Sequence, residues 1–314
     1  MWGFCYTREM NTEEQDALKL LERNRIGAVL RVYADTPGAV SGQVASAIDA
    51  LRRLLLLRLG DRAVFSRIDF LVSSDPNFDD TDCGETAAIL RERIHLEFPN
   101  APVSVLEIKR GDIYCMLLNY GIANQLEDRI SYTMILSHLA SSYATPETVN
   151  GLLSAMYRRA RVAGVALSEL APLVRNGYVM NTFAMWHNKS LVTIGGFDLR
   201  AAKPARDRAH SAEKVSGWSE RHAGHYGDGK VEYYVAGCEE IIPIARLVRY
   251  FGKCVTVVEP RGEGMEWKAY GPLTDTRAHQ RHLAKLATKE ERQRRMAAFE
   301  GVELEFIKTG LMEL

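Results

Sequence analysis

The sequence has no excess of charge of either sign. Its 314 residues carry 40 Lys and Arg against 40 Asp and Glu, a formal net charge of zero. That balance lacks the broad cationic field with which a nucleic-acid or anionic-membrane binder recruits its partner. Cysteine is scarce: Cys5, Cys83, Cys115, Cys238 and Cys254 are widely spaced, odd in number and never arranged as CxxC. Such a set is no disulfide framework and fits buried thiols in a reducing compartment. Long apolar runs are missing as well. The leucine run Leu54–Leu57 falls far short of the ~20 residues that cross a bilayer. The early residues include Glu13, Glu14 and Asp16 and show no basic-then-apolar leader pattern. These absences predict a cytoplasmic protein with no transmembrane segment and no nucleic-acid partner.

Three catalytic fingerprints are also absent. There is no G-x-x-x-x-G-K-[ST] phosphate loop, no G-x-G-x-x-G after the first strand and no G-x-S-x-G elbow. What remains is an ordinary globular mix, 46% hydrophobic and 25% charged. It excludes disorder, collagen and coiled coil as the main character of the chain.

The pattern along the chain alternates between strand and helix. Residues 1–25 read as a polar helical lead-in carrying Leu18, Leu20 and Leu21. Ile26–Tyr33 is an apolar, β-branched run and predicts a buried strand. A helix follows, with Val44, Ile48, Leu51, Leu55 and Leu59 at helical spacing and Gly60 as its stop. Ile68–Ser73, Val103–Ile108 and Tyr132–Leu136 predict three more strands. Helices are expected between them, over about Asp82–Ile94 and Tyr114–Leu126. Four strands separated by helices imply right-handed crossovers and an α/β fold with a parallel sheet covered on both faces. Ligands in such sheets sit at the carboxyl ends of the strands. Here those ends are Tyr33–Gly38, Ser73–Asp80, Ile108–Asp112 and Ser137–Ser142.

Beyond residue 145 the pattern predicts a long helix over Pro146–Ala163, a helix over Glu239–Phe251 and a short strand at Val255–Val258. Residues 200–230 are polar and rich in Lys, Arg, His and Gly, which suits a loop. Residues 277–295 carry seven Lys and Arg against two Glu, a local charge of +5. Four segments follow: a lead-in over 1–25, a nucleotide-binding half over 26–145, an acceptor and catalytic half over 146–260, and a helical tail over 261–314.

In order and content these segments resemble the family 2 glycosyltransferases, which have a GT-A fold, across roughly residues 26–258. The matching pieces are Val32-Tyr33-Ala-Asp35, Leu71–Asp75 with Asp79-Asp80-Thr81, and Gly111 through Asn119-Tyr120-Gly121-Ile122. Asn181 through Gly195-Gly196-Phe197-Asp198 and Ala236-Gly-Cys-Glu239-Glu240 complete the series. The resemblance implies a Rossmann-like, mostly parallel sheet. It also implies inverting transfer of a sugar from a UDP- or GDP-type donor to a glycan or other acceptor. Tyr33, Asp35 and Asp75 would line the base pocket, with Asp75 facing uracil, or Asp75-Pro76 is only a turn former. Arg110 would meet the donor phosphates, and Ser137 and His138 would belong to the nucleotide site. Trp186 and His187 would form an acceptor platform, or Trp186 is a core residue.

Inverting transfer needs a base within reach of the acceptor hydroxyl. Glu240, of the adjacent pair Glu239 and Glu240, is the first choice, and Asp198 is the second. The same two glutamates would also favour the positive end of the helix that follows them. One departure stands out. Where the family places Asp-x-Asp to hold Mg²⁺ or Mn²⁺, this chain reads Ser137-His138-Leu139. Serine and leucine are no substitute for two hard anionic ligands. His222-Ala-Gly-His225 has ligand spacing but sits in a glycine-containing loop, a poor frame for zinc. Cys238 reads as a small buried group rather than a nucleophile. The rival to an enzyme is a catalytically inactive module of the same fold that binds a nucleotide, a glycan or a protein. A sugar-1-phosphate nucleotidyltransferase is disfavoured, because Ala34–Gly38 supplies no Gly-rich basic loop.

Overall fold

The computed structural model describes residues 10–32, 34, 36–73, 83–108, 114–167, 171–198, 223–225, 231–233, 239–261, 293–294, 297–298 and 300–313. Helix α1 (Thr12–Arg23) opens the described chain. Asn11 and Glu14 close a reciprocal capping box at its start, with Glu14 N–H donating to Asn11 Oδ1 at 2.9 Å. Strand β1 (Arg25–Arg31) and helix α2 (Val40–Leu56) follow. A small hairpin of β2 (Arg58–Leu59) and β3 (Arg62–Ala63) comes next.

The order then runs through β4 (Arg67–Ser73), α3 (Thr86–Glu97), β5 (Val103–Ile108), α4 (Tyr114–Glu127) and β6 (Ile130–Ser137). The second half adds α5 (Pro146–Tyr157), β7 (Val162–Val165), α6 (Ala171–Arg175), β8 (Phe183–His187) and α7 (Asn188–Thr193). A short hairpin of β9 (Ala223–His225) and β10 (Val231–Tyr233) precedes α8 (Ile241–Phe251), β11 (Val255–Val258) and α9 (Leu304–Lys308).

Seven strands form one sheet in the order β11-β7-β8-β6-β1-β4-β5. The four strands expected to be parallel are parallel. Strand β8 runs antiparallel to both β6 and β7, and β11 is parallel to β7. The expected α/β architecture, a mostly parallel sheet flanked by helices, is therefore present. Strands from residues 26–145 and from 146–260 share it.

The pleat divides the core. Ala28, Leu30, Phe70, Met134 and Leu136 pack with α1, α2, α3 and α5 on one face. Val29, Leu71, Ile135, Ala184 and Trp186 pack with α4, α7 and α8 on the other. Beneath α4 the buried Gln125 lies over Gly27. It donates to the Ala28 carbonyl at 2.9 Å and accepts from the Thr133 hydroxyl at 2.6 Å. A Cβ on Gly27 would overlap that side chain at 2.3 Å.

Two sequence expectations change. Helix α2 stops at Leu56, not at Gly60. Gly60 instead turns the β2–β3 hairpin at φ +58, because Gly-Asp between two short extended pairs is a hairpin signal that outweighs helical spacing at Leu59. The helix expected over Pro146–Ala163 ends at Tyr157, and Val162–Val165 is a strand. Those four residues fill the slot between β8 and β11, where Gly164 lets Val179 approach to 2.8 Å of a would-be Cβ. The lead-in helix, α3, α4, β5 and β11 lie at or near their expected places.

Candidate active site at the strand tips

From β1 the chain steps outward to β4 and β5 on one side, then returns to place β6 on the other side of β1. That reversal marks the carboxyl ends of β1 and β6 as the place where a ligand usually sits in an open α/β sheet. Arg31 ends β1 and Ser137 ends β6, and the two are paired in register. Because β8 is antiparallel, its beginning lies at the same edge: Phe183 pairs with Leu136, and the Ser137 N–H donates to the Thr182 carbonyl at 2.9 Å.

Glu240, the residue just before α8, reaches this edge. Its Oε1 accepts the Asn181 backbone N–H at 2.6 Å, and the residue is 4% exposed. A bond from an N–H to a carboxylate is of the charge-assisted kind and anchors the side chain. Glu239 and Glu240 precede α8, where the helix N-terminus favours negative charge. Cys115, on the first turn of α4, is fully buried. Burial pushes its thiol well above the ordinary range, and the charges of Glu239, Glu240 and Asp198 push the same way. All three candidate acids are thus close enough to act on one buried sulfur, which is inert as a nucleophile.

Asp198 is held by a guanidinium. Arg246 Nη2 donates to Asp198 Oδ2 at 2.7 Å and to Glu300 Oε1 at 2.8 Å, while Nη1 donates to the Ile194 carbonyl at 3.3 Å. The turn before Asp198 is shaped by two glycines, Gly195 at φ +94 and Gly196 at φ +72. Asn119 of α4 clamps it from both sides. Its amide donates to the Phe197 carbonyl, and its Oδ1 accepts the Phe197 N–H, both at 2.8 Å. A Cβ on Gly196 would sit 2.6 Å from Asn119 Oδ1.

Trp186 and His187 are not brought to this edge. Strand β8 carries His187 roughly 13 Å from Phe183 at the usual rise per residue, toward Tyr132 near the start of β6. Trp186 is a core residue. It is fully buried, donates to Asn181 Oδ1 at 2.9 Å and meets Phe197 edge-on at 5.1 Å. Its ring offers no open face to an acceptor. His187 caps α7 instead, its Nδ1 accepting from the Ser190 N–H at 3.3 Å. Burial, with Arg161 and Lys189 nearby, lowers its pKa to about 4.

His138 is buried, and both ring nitrogens are engaged. Nδ1 donates to the Arg31 carbonyl at 3.1 Å, and Nε2 meets the Gln43 amide at 2.8 Å. Burial lowers its pKa below the ordinary histidine value. The divalent cation implied by the family resemblance does not fit here. Ser137-His138-Leu139 contributes no carboxylate, the imidazole is occupied, and the Leu139 side chain is exposed and apolar. Among the described residues no three His, Cys, Asp or Glu side chains are grouped to hold a metal ion.

Tyr33, Asp35, Asp75 and Arg110 lie outside the described residues, as do Cys238 and the His222 and His225 side chains. The described cysteines Cys83, Cys115 and Cys254 are free thiols. No described helix is long and apolar enough to cross a membrane. Two concave surfaces lie away from the switch point. One of about 590 Å³ runs between β11 and α9 at the far edge of the sheet. One of about 280 Å³ is lined by Arg246, Arg249 and Tyr250.

Sequence reasoning missed Arg31 and Arg246. The signal for Arg31 was a lone charge in the apolar run Ile26–Val32, and for Arg246 a lone charge within Ile241–Val248.

No family model and no curated protein matches the chain. Among solved structures it is similar to glucosyl-3-phosphoglycerate synthase from Mycobacterium tuberculosis in complex with UDP. That match has 12% identity, 90% of this chain and 86% of the other covered, and a TM-score of 0.44. The same enzyme with Mn²⁺, UDP-glucose and glycerol 3-phosphate matches at 9% identity over 98% and 88%, with a TM-score of 0.47. A further mycobacterial protein matches at 12% identity over 98% and 81%, with a TM-score of 0.44. Likeness at this level adds nothing to what the strand order itself shows.

Proposed function

We propose that the chain is a glycosyltransferase that moves a sugar, with inversion, from a nucleoside diphosphate donor to a hydroxyl acceptor. The observation that carries this reading is the placement of Glu240. An acid at the start of α8, its N-cap residue some hundred residues after β6, is anchored to Asn181 at the carboxyl edge where the topology puts a ligand. In this reading Glu240 takes the proton of the acceptor hydroxyl, and Glu239 sustains the local negative potential. Asp198, tied to Arg246, orients the acceptor rather than acting as base. Residues 26–145 hold the donor, and residues 146–260 hold the acceptor and the base.

A second reading has one observation in its favour. Glu240 is buried and already bonded, as a purely structural acid would be, which suits an inactive module that only binds a nucleotide, glycan or protein. A thermal-shift panel of UDP and GDP tests for an intact donor pocket, and turnover of the corresponding sugar donors separates the two readings. Stabilisation by a diphosphate with hydrolysis or transfer of its sugar supports the enzyme. Stabilisation without turnover supports the binding module, and no stabilisation by either nucleotide counts against both donor-pocket readings.

A further inference from the structure

Departure of a nucleoside diphosphate leaves negative charge at the strand tips, and a catalyst must meet it with fixed positive charge. Arg31 is placed for this. It is the last residue of β1 and pairs in register with Ser137 of β6 and Leu71 of β4. Those strands bracket the point where the strand order reverses.

The pleat sets its direction. Val29 belongs to the α4–α8 side of the core and Leu30 to the other, so Arg31 projects toward α4 and α8. Ser137 follows Ile135, and Ser73 follows Leu71, to the same face. One guanidinium and two hydroxyls, from three adjacent parallel strands, therefore share the face that Glu240 enters. The base of the arginine is fixed. Its carbonyl accepts from His138, and the next N–H, of Val32, donates to the Leu71 carbonyl at 3.0 Å. Its Nε is shielded from solvent, while the residue as a whole is partly exposed. A partly exposed arginine rooted at the end of the central strand is suited to a charged ligand at the strand tips.

We propose that Arg31 binds the diphosphate of the donor and takes the place of the divalent cation that Ser137–Leu139 is unfit to hold. This rests on the glycosyl-transfer reading and deepens it. The planar guanidinium offers two parallel N–H groups to two phosphate oxygens. In the transfer step the bond from the anomeric carbon to the β-phosphate oxygen breaks, and its electron pair goes to that oxygen. The acceptor oxygen bonds the anomeric carbon, and its proton passes to Glu240. Arg31 faces the charge gained by the phosphate.

Isothermal titration of the full chain with UDP, GDP, uridine and guanosine, all in EDTA, tests this. The wild type is expected to bind one diphosphate at least about tenfold tighter than its nucleoside. Arg31→Gln should erase that preference and leave nucleoside affinity unchanged, and Arg31→Lys should keep part of it. Circular dichroism melts check folding; if Arg31→Gln does not fold, a smaller loss of diphosphate preference in Arg31→Lys carries the test. An unchanged preference in the folded variants overturns the proposal. So does diphosphate binding that vanishes in EDTA and returns with Mn²⁺, and both results leave the transfer reading standing. A wild type that binds none of the four overturns the reading and this proposal together.

Discussion

Glu240 and Asn181 are joined by a 2.6 Å bond from backbone N–H to carboxylate across 59 residues of sequence. The neighbouring residue, Thr182, receives the amide of Ser137. The two contacts tie the start of α8 to the tips of β6 and β8, so the acid and the end of the central strand hold one relative position. If Glu240 is the base, Glu240→Gln should lower turnover by about 10²–10⁴. Its amide oxygen still accepts the Asn181 N–H, so the thermal shift given by a bound nucleotide should remain. Steady-state kinetics beside a thermal-shift assay decides it, and wild-type turnover in the variant would remove Glu240 from the mechanism.

Gly196 and Gly60 form a controlled pair. Both have positive φ, +72 and +58. A Cβ at Gly196 meets Asn119 Oδ1 at 2.6 Å, whereas one at Gly60 meets nothing within 4 Å. Gly60→Ala should cost only the left-handed backbone penalty, about 1 kcal/mol. Gly196→Ala should cost more, about 2–4 kcal/mol, since it also breaks the clamp of Asn119 on Phe197. Urea unfolding measures both, and equal costs would show that the clamp contributes nothing.

Arg246 links the turn at Asp198 to Glu300, far along the chain. Its guanidinium is raised above its ordinary pKa, first by the Glu300 hydrogen bond and also by Asp198. With Arg246 at 23% and Glu300 at 9% side-chain exposure, the pair is sheltered enough to couple. A double-mutant cycle of Arg246→Ala and Glu300→Ala should return an interaction of about 1–2 kcal/mol. A value near zero would mean that the segment around Glu300 rests on the body without being held to it.

The pH dependence of stability carries a signature of His187. A histidine whose folded-state pKa, about 4, lies below its unfolded value of 6.5 binds its proton more readily once unfolded. Stability is therefore full above pH 6.5 and drains as pH falls toward 4. His187→Asn keeps a side chain able to cap α7 and lacks the titration. Its unfolding midpoint should fall less steeply than that of the wild type across this window. His138 titrates in the same direction but is present in both proteins, so it cancels in the difference. Parallel curves for the two proteins would refute the assignment.

Local pattern reached a long way into this fold. Val103–Ile108 and Val255–Val258 form strands over the ranges their composition predicts, and the four apolar runs of the first half form parallel neighbours. The Gly195–Asp198 segment and the Glu239–Glu240 pair are marked in the sequence by the family resemblance, while the turn at Gly195 and Gly196 and the bond from Asn181 to Glu240 come from the fold. The helix over Pro146–Ala163 failed because Val162–Val165 is short and apolar, and such a segment takes whichever state its neighbours complete.

The sequence by itself determined the strand–helix alternation, the face each apolar residue seeks and the glycines that must turn, because these follow from side-chain period and backbone sterics over a few residues. Tertiary structure alone decided that Trp186 is interior while Glu240 stands at the strand tips, that His187 caps a helix at the opposite edge, and that Arg31 lies beside Ser137 at the ends of adjacent strands. Those relations depend on strand order and on the reversed direction of β8, which place residues 50 or more apart in the chain against one another and leave no local trace.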